Sequence, residues 1–403
     1  MESILMLGGS QQQVVAIEAA KRLGYRTVLC DYLPDNPGQY VADIFYQEST
    51  TDKDKILEIA AKENVSGILA YASDPAAPTA AYVAEKLGLP TNPLDAVETL
   101  SVKHKFRKAL KASGAPTPGN AVLTKDMSLN DIKLALGELK FPIVIKPTDS
   151  SGSKGVTFLD AIDGVEEAIE SASEFSRNGI LIAEEYITYG WPYVIGGDVF
   201  VEDGIVKFWG CMSCIRSEEA PLVPQGKMYP SGLSDEQMQS VKRATQMLVD
   251  EVGIRFGELN IEIIVDNDNN AHYLELGARA GGNMIPIQLS DVSGINLVEA
   301  NVLAAMGKPV PNIEFDGTST PNGCFATYVL HSDKTGILDK VIIDDDIMPH
   351  VYRTVMYKQH GDEVYKFENA AHAIGILFLS FESLEQMIGC LKNIEENVFV
   401  AFL

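Results

Sequence analysis

From Ser3 to Leu87 the chain alternates strand-like and helix-like apolar patterns, and that alternation restricts the segment to a parallel α/β layer. SILML, Ser3 to Leu7, reads as a buried strand, and Gly8-Gly9-Ser10 as a turn. From Gln12 to Leu23 the apolar residues Val15, Ala19 and Leu23 recur at helical spacing, with Gly24 as the stop. TVLCD, Thr27 to Asp31, is the next strand; a helix (Asp52 to Glu63), a strand (Val65 to Tyr71) and a helix (Pro75 to Leu87) continue the series. Asp31 stands at about the distance from the glycine turn that a dinucleotide ribose ligand would. GGSQQQ, however, lacks the G-x-G-x-x-G spacing that brings backbone against a pyrophosphate. The layer is therefore expected to line a cleft for something other than NAD.

A chain of 403 residues exceeds one ordinary core, so about two or three domains are expected. Its apolar runs fall short of a membrane span, and Met1-Glu2-Ser3-Ile4 carries no basic leader before the first strand. A cytoplasmic protein with no membrane partner is expected. The formal charge of −24 disfavours nucleic-acid binding, so any anion site must be built locally from a few placed cations. Cys211 and Cys214 form a C-x-x-C with no second pair at zinc spacing. In the strand-like VKFWGCMSCIR they point to opposite faces, which favours a packing role.

Cations stand out against that charge at two places. SVKHKFRKALKASG, within Leu94 to Thr117, is a basic helical stretch whose ordinary reading is a solvated face. In FPIVIKPTDSSGSKGVTFL, Phe141 to Leu159, an apolar strand ends in Lys146 and a Ser/Gly loop follows. At a strand end the ammonium can reach a phosphate without being buried, and small residues let backbone N–H groups approach closely, although P-loop spacing is absent. ILIAEEYI, Ile180 to Ile187, then reads as a strand with an acidic end. Ser234 and Gln237 suit a capping box for a helix reaching Val252.

GELNIEIIVDNDNNAHYLELGARAGG reads as two alternating strands joined by a turn at Asp266 to Asn270. Glu262 lies in the first strand and Glu275 in the second, where alternation puts Gly277 and Arg279 on the face of Glu275. Two carboxylates meeting there would repel unless a metal or a cation joined them. Read alone, the pair fits a Mg²⁺ site or an exposed, ion-paired hairpin face equally well. From about Pro311 short strands and turns close the chain.

Taken in order, the strand-end lysine, small-residue loop, EEYI segment and Glu…Glu-x-Gly-x-Arg hairpin resemble the ATP-grasp superfamily. YRTVLCDYLPDNPGQYVAD and GLPTNPLDAVETLSVKHKFRKALKASGAPTP resemble its phosphoribosylglycinamide synthetase and biotin carboxylase-like branch. The resemblance implies an α/β and α+β chain: an N-terminal Rossmann-like pre-grasp domain (1–93), an ATP-grasp domain (94–310, mobile lid 118–190) and a small C-terminal α+β domain (311–403). It implies ATP and Mg²⁺, with Mn²⁺ as a substitute. Lys103 and Lys146 would contact the α/β-phosphates, and Ser151, Gly152, Ser153 and Gly155 would form the loop over them. Glu184, Glu185 and Ile187 match the adenine-binding segment, Glu262 and Glu275 the metal ligands, and Arg279 the arginine that steadies an acyl phosphate.

In two places the sequence departs from the family pattern. Gly277 stands where the family usually has Asn, and Gly190-Trp191-Pro192 stands where a ribose-binding Glu is common. The implied activity is a carboxylate–amine ligase: ATP phosphorylates a carboxylate, an amine attacks the acyl phosphate, and ADP and phosphate leave. Phosphoribosylglycinamide synthetase-like and L-amino-acid (dipeptide) ligase-like activities both fit, with small-molecule carboxylate and amine partners. A nucleotide sensor that has lost turnover is the competing expectation. A purine enzyme would need a phosphate cation, for which Arg216 is a candidate, although a lone arginine is more often a surface ion pair. A homodimer is expected because closed two-fold assemblies are the commonest.

Overall fold

The computed structural model describes residues 1–150, 154–216, 223–320 and 322–403. The first strand, Ser3–Leu7, is buried along its whole length, as an inner strand covered on both faces must be. It pairs in parallel with Arg26–Asp31 on one side and Gly67–Leu69 on the other, and Ile44–Gln47 forms the edge. Helix Gln11–Arg22 begins on a capping box between Ser10 and Gln13. The Gly8-Gly9 turn is closed by the protein's own side chains. The Gly9 N–H donates to Asp31 Oδ2 at 2.7 Å, and a Cβ at Gly9 would collide with Asn36. Asp31 is thus a backbone anchor rather than a ribose ligand.

An eight-stranded antiparallel sheet forms the centre of the molecule. Its order is Ala271–Gly277, Gly257–Val265, Ile195–Glu202, Ile205–Ile215, Gly226–Tyr229, Cys324–Leu330, Gly375–Phe381 and Val351–Met356. Strands from before and after residue 310 therefore share one ladder. Alternation sorts its side chains by face. Val199, Val201, Leu259 and Ile261 pack under helices Lys103–Ser113 and Asp235–Val252, while Phe200 and Met212 face helix Ile285–Ser293. Cys211 and Cys214 fall on opposite faces of their strand, in separate apolar clusters.

A four-stranded antiparallel sheet, Asn120–Thr124, Ile180–Glu185, Ile143–Pro147 and Thr157–Leu159, carries its own core with helices Leu129–Leu136 and Val165–Glu174. It stands over the end of the central sheet that bears the 257–277 hairpin. A small sheet, Glu363–Val364, Gly336–Ile343 and Val398–Phe402, lies near the C-terminus. The basic stretch is two helices, Leu94–Ser101 and Lys103–Ser113, because Val102 takes an extended conformation between them. No helix among the described residues is long and apolar enough to cross a membrane.

Candidate functional site

Between the four-stranded sheet and the hairpin lies a cavity of about 260 Å³, and Lys103, Lys146, Glu184, Ile187, Glu262 and Glu275 all line it. Residues distant in sequence converge there because two sheets present their strand ends to each other.

Lys146 ends the strand Ile143–Pro147, and Glu184 lies on the neighbouring strand opposite Val144, on the face of Lys146. Lys146 Nζ is 2.6 Å from Glu184 Oε2. Arg107 grips the same carboxylate from below, Nε to Oε1 at 2.6 Å and NH2 to Oε2 at 3.1 Å, and also donates to the Leu274 carbonyl at 3.2 Å. Burial alone would raise the Glu184 pKa, but Arg107 and Lys146 outweigh it and hold the group at about 2. Burial lowers the Lys146 pKa, with Glu184 opposing it. Two expectations are corrected here. The helix Lys103–Ser113 is not solvated all round, since Arg107 is 1% exposed. Lys146 is buried rather than a free ammonium at a strand end.

Glu184 is thereby an anchor that positions two cations, and its carboxylate is fully engaged. Its neighbour Glu185 donates its N–H to the Gly119 carbonyl at 2.9 Å, and its carboxylate accepts from the Lys140 N–H at 2.9 Å. Tyr186 donates its N–H to Pro142. Among the described residues, the Ile187 N–H has no such partner.

Lys103 opens its helix and ties three elements together. Its N–H donates to the Thr148 carbonyl at 2.9 Å, its Nζ donates to the Ser150 carbonyl at 2.7 Å, and Nζ lies 3.9 Å from Glu275 Oε1. Ser151, Gly152 and Ser153 lie outside the described residues. Gly155 follows at φ +68°, where a Cβ would press on Phe175 and Ala172.

Glu262 and Glu275 are direct cross-strand partners, with a register shift just beyond Glu262. Arg216 NH2 approaches Glu262 Oε2 at 3.9 Å, and Arg216 is a half-buried residue of the cavity rather than a surface cation. Burial raises the Glu275 pKa; Lys103 opposes the rise, while Asp74 and Glu262 add to it. Among the described residues no cluster of three or more metal-ligating side chains forms. Two carboxylates beside an open cavity fit Mg²⁺, a hard ion that keeps water and takes phosphate oxygens for its remaining positions.

Arg279 lies just beyond the hairpin's second strand. Its Nε and NH2 each donate at 2.7 Å to Asp74, whose loop leaves the N-terminal sheet. Ala72, at φ +51°, bends that loop toward the site. A Cβ at Gly277 would lie 3.0 Å from Asp74 Oδ1 and 3.3 Å from Arg279 Nε. Glycine is what allows this pair to close over the strand end. Burial works against the ionised forms of both partners, yet their mutual attraction prevails: the Asp74 pKa falls and the Arg279 pKa rises. Behind them Asp198 accepts from the Gly281 N–H at 2.9 Å and from Asn260 at 2.8 Å, and Asn301 donates to Glu258. Burial raises the pKa of both acids, and Asp198 fixes the turn after Arg279 through the Gly281 N–H.

Arg107 and Asp74 are the two site residues that sequence reasoning missed. Arg107 carried a signal: it lies between the buried Phe106 and Leu110, on the inward phase of an amphipathic helix. Asp74 carried none, since SDPAAP reads as an ordinary turn before a helix.

Residues 139–287 match the family model described as ATP-grasp domain. The formate-dependent phosphoribosylglycinamide formyltransferase of Synechococcus sp. (strain WH7803) is 24% identical over 335 residues, 83% of this chain and 82% of that one. Phosphoribosylglycinamide synthetase from Anaerococcus prevotii superposes with a TM-score of 0.79 at 22% identity, covering 100% of both chains. L-amino acid ligase from Bacillus licheniformis superposes with a TM-score of 0.84 at 20% identity, covering 100% of this chain and 99% of that one. Residues 139–287 thus form an ATP-grasp domain, and the whole chain shares the fold of these synthetase and ligase structures.

Proposed function

We propose that the protein joins a carboxylate to an amine through an acyl phosphate, releasing ADP and phosphate. One observation carries this reading: two lysines and two facing carboxylates line a single cavity, and a largely covered arginine, Arg279, lies next to it, just past the strand of Glu275. In this reading Lys103 and Lys146 hold the α/β-phosphates, and the loop through Ser151, Gly152, Ser153 and Gly155 covers them. The backbone about Glu185 and Ile187 reads adenine, with Ile264 and Leu274 as apolar floor. Glu262 and Glu275 hold Mg²⁺, which neutralises phosphate charge when bound, and Mn²⁺ substitutes for it. Arg279 orients the carboxylate and then the acyl phosphate with its planar fork. With the loop closed over the two sheets, water is kept out and the acyl phosphate meets an amine rather than hydrolysing. Residues 1–93, 94–310 and 311–403 act as pre-grasp, ATP-grasp and closing units of a cytoplasmic homodimer.

ADP release tests the reading, measured with pairs of carboxylates and amines. Glycine with phosphoribosylamine and pairs of L-amino acids are the first to try, matching the two ligase types expected. ADP release that requires both substrates supports it. ATP binding without ADP release from any pair would favour a sensor.

A further inference from the structure

Lys103, Lys146 and Arg216 line the cavity, and each has an oxygen partner. Lys146 meets Glu184, Lys103 meets the Ser150 carbonyl and Glu275, and Arg216 meets Glu262. Behind them lies Lys227, on the strand Gly226–Tyr229 and only 6% exposed. Its Nζ donates to Cys214 Sγ at 2.9 Å, and among the described residues no carboxylate pairs with it. A thiol is a weak acceptor for an ammonium with three donors. Burying a cation without an anion costs several kcal/mol or more. A fold retains such a group where something else supplies the anion.

The ladder shows where that ammonium points. Lys227 is the cross-strand partner of Cys214. Cys214 shares a face with Met212, whose partner is Gly196, and Gly196 is in turn the partner of Glu262. Partners share a face, so Lys227 lies on the sheet face of the Glu262–Glu275 pair, beneath the residues that line the cavity. The lysine reaches sideways across its neighbouring strand. A Cβ at Gly196 would lie 2.6 Å from Lys227 Nζ and 2.7 Å from Cys214 Sγ. Gly196 sits inside the central strand Ile195–Glu202, where glycine weakens a sheet and marks a close approach. What approaches here is the ammonium, placed about one strand spacing (~4.8 Å) from the Glu262 backbone.

We infer that Lys227 is the base of an oxyanion-binding position beside Glu262, taking a carboxylate or phosphoryl oxygen of a bound ligand. This rests on the ligase reading and adds to it: the cleft holds one more anionic oxygen than the two phosphate lysines and Arg279 account for. Either the acceptor substrate or the terminal phosphoryl of ATP supplies that oxygen.

The test uses the full chain and the variants Lys227→Met, Lys227→Arg and Gly196→Ala. Calorimetry compares ADP with β,γ-imido-ATP, both with Mg²⁺. Thermal shift then surveys L-amino acids and short dicarboxylates in the presence of Mg²⁺ and ADP. In Lys227→Met, ADP affinity stays within about twofold, and one oxyanion probe weakens about tenfold or more, the scale of a lost charged hydrogen bond. Weakened β,γ-imido-ATP identifies the phosphoryl group, and weakened carboxylates identify the acceptor. Gly196→Ala, which pushes the ammonium aside, gives the same loss, and Lys227→Arg retains part of the affinity. The Tm of unliganded Lys227→Met is no lower than that of the wild type, since the buried charge removed has no carboxylate partner among the described residues. A lower Tm with every probe unchanged would make Lys227 a packing residue and overturn the inference alone. Wild-type protein that binds no ADP with Mg²⁺ would contradict the ligase reading beneath it.

Discussion

Asp74 and Arg279, 205 residues apart in sequence, meet as a bidentate pair with both N–O distances at 2.7 Å. The pair joins the N-terminal layer to the hairpin that carries Glu275, and Gly277 leaves it room. A side chain at 277 would begin 3.0 Å from Asp74 Oδ1, a carboxylate supplied by another part of the chain.

Restoring the family residue should therefore harm this protein. Gly277→Asn would force atoms into the space of Asp74 Oδ1, at about 1–3 kcal/mol of overpacking. The expected result is lower stability in urea and about tenfold weaker β,γ-imido-ATP binding with Mg²⁺. Combining it with Asp74→Ala should cost less than the sum of the two changes, with a coupling of about 0.5 kcal/mol or more. Strict additivity, or improved binding in Gly277→Asn alone, would show that Asp74 does not occupy this space.

Arg107 should be the most destabilising single site in the Arg107–Glu184–Lys146 cluster. Arg107→Met leaves Glu184 buried with Lys146 alone, and breaking a buried pair costs about 3–5 kcal/mol. Denaturant titration measures it. The sign of the pH dependence follows from Glu184, whose folded pKa of about 2 lies below its ordinary 4.5. Its stabilisation is fully present above pH 4.5 and is lost as pH falls through about 2. The variant should show a shallower loss over that window.

Regular elements and their faces were legible in the sequence, while the partners that set the site's electrostatics were not. Ser234 and Gln237 announced the helix Asp235–Val252, and alternation placed Glu262 opposite Glu275. Those are local patterns. Lys146 read as an exposed strand-end cation because its counter-charge lies on another strand, and Arg107 read as one more cation in a basic run. Asp74 is supplied by a loop with no periodicity at all. Strand Val65 to Tyr71 shrank to Gly67–Leu69 because only those residues pair with Ser3–Leu7.

Lys146→Met should weaken β,γ-imido-ATP binding by about tenfold or more and leave the chain folded, since Arg107 still neutralises Glu184. Circular dichroism with calorimetry checks both halves. Unchanged affinity in the folded variant would remove Lys146 from the nucleotide site.

Magnesium should bind appreciably only with nucleotide, because two protein carboxylates leave most of its positions to water and phosphate. Titration of Mg²⁺ with and without β,γ-imido-ATP measures this, and Glu275→Gln should abolish the gain. A control that behaves like wild type would exclude Glu275 as a ligand.

The acyl phosphate is the centre of the account, and oxygen transfer tests it most directly. The carboxylate substrate that supports ADP release is labelled with ¹⁸O, and the phosphate produced is examined by phosphorus NMR. One ¹⁸O atom in orthophosphate, with ADP as the nucleotide product, is the predicted result. Unlabelled orthophosphate, or label in AMP with release of pyrophosphate, would contradict it.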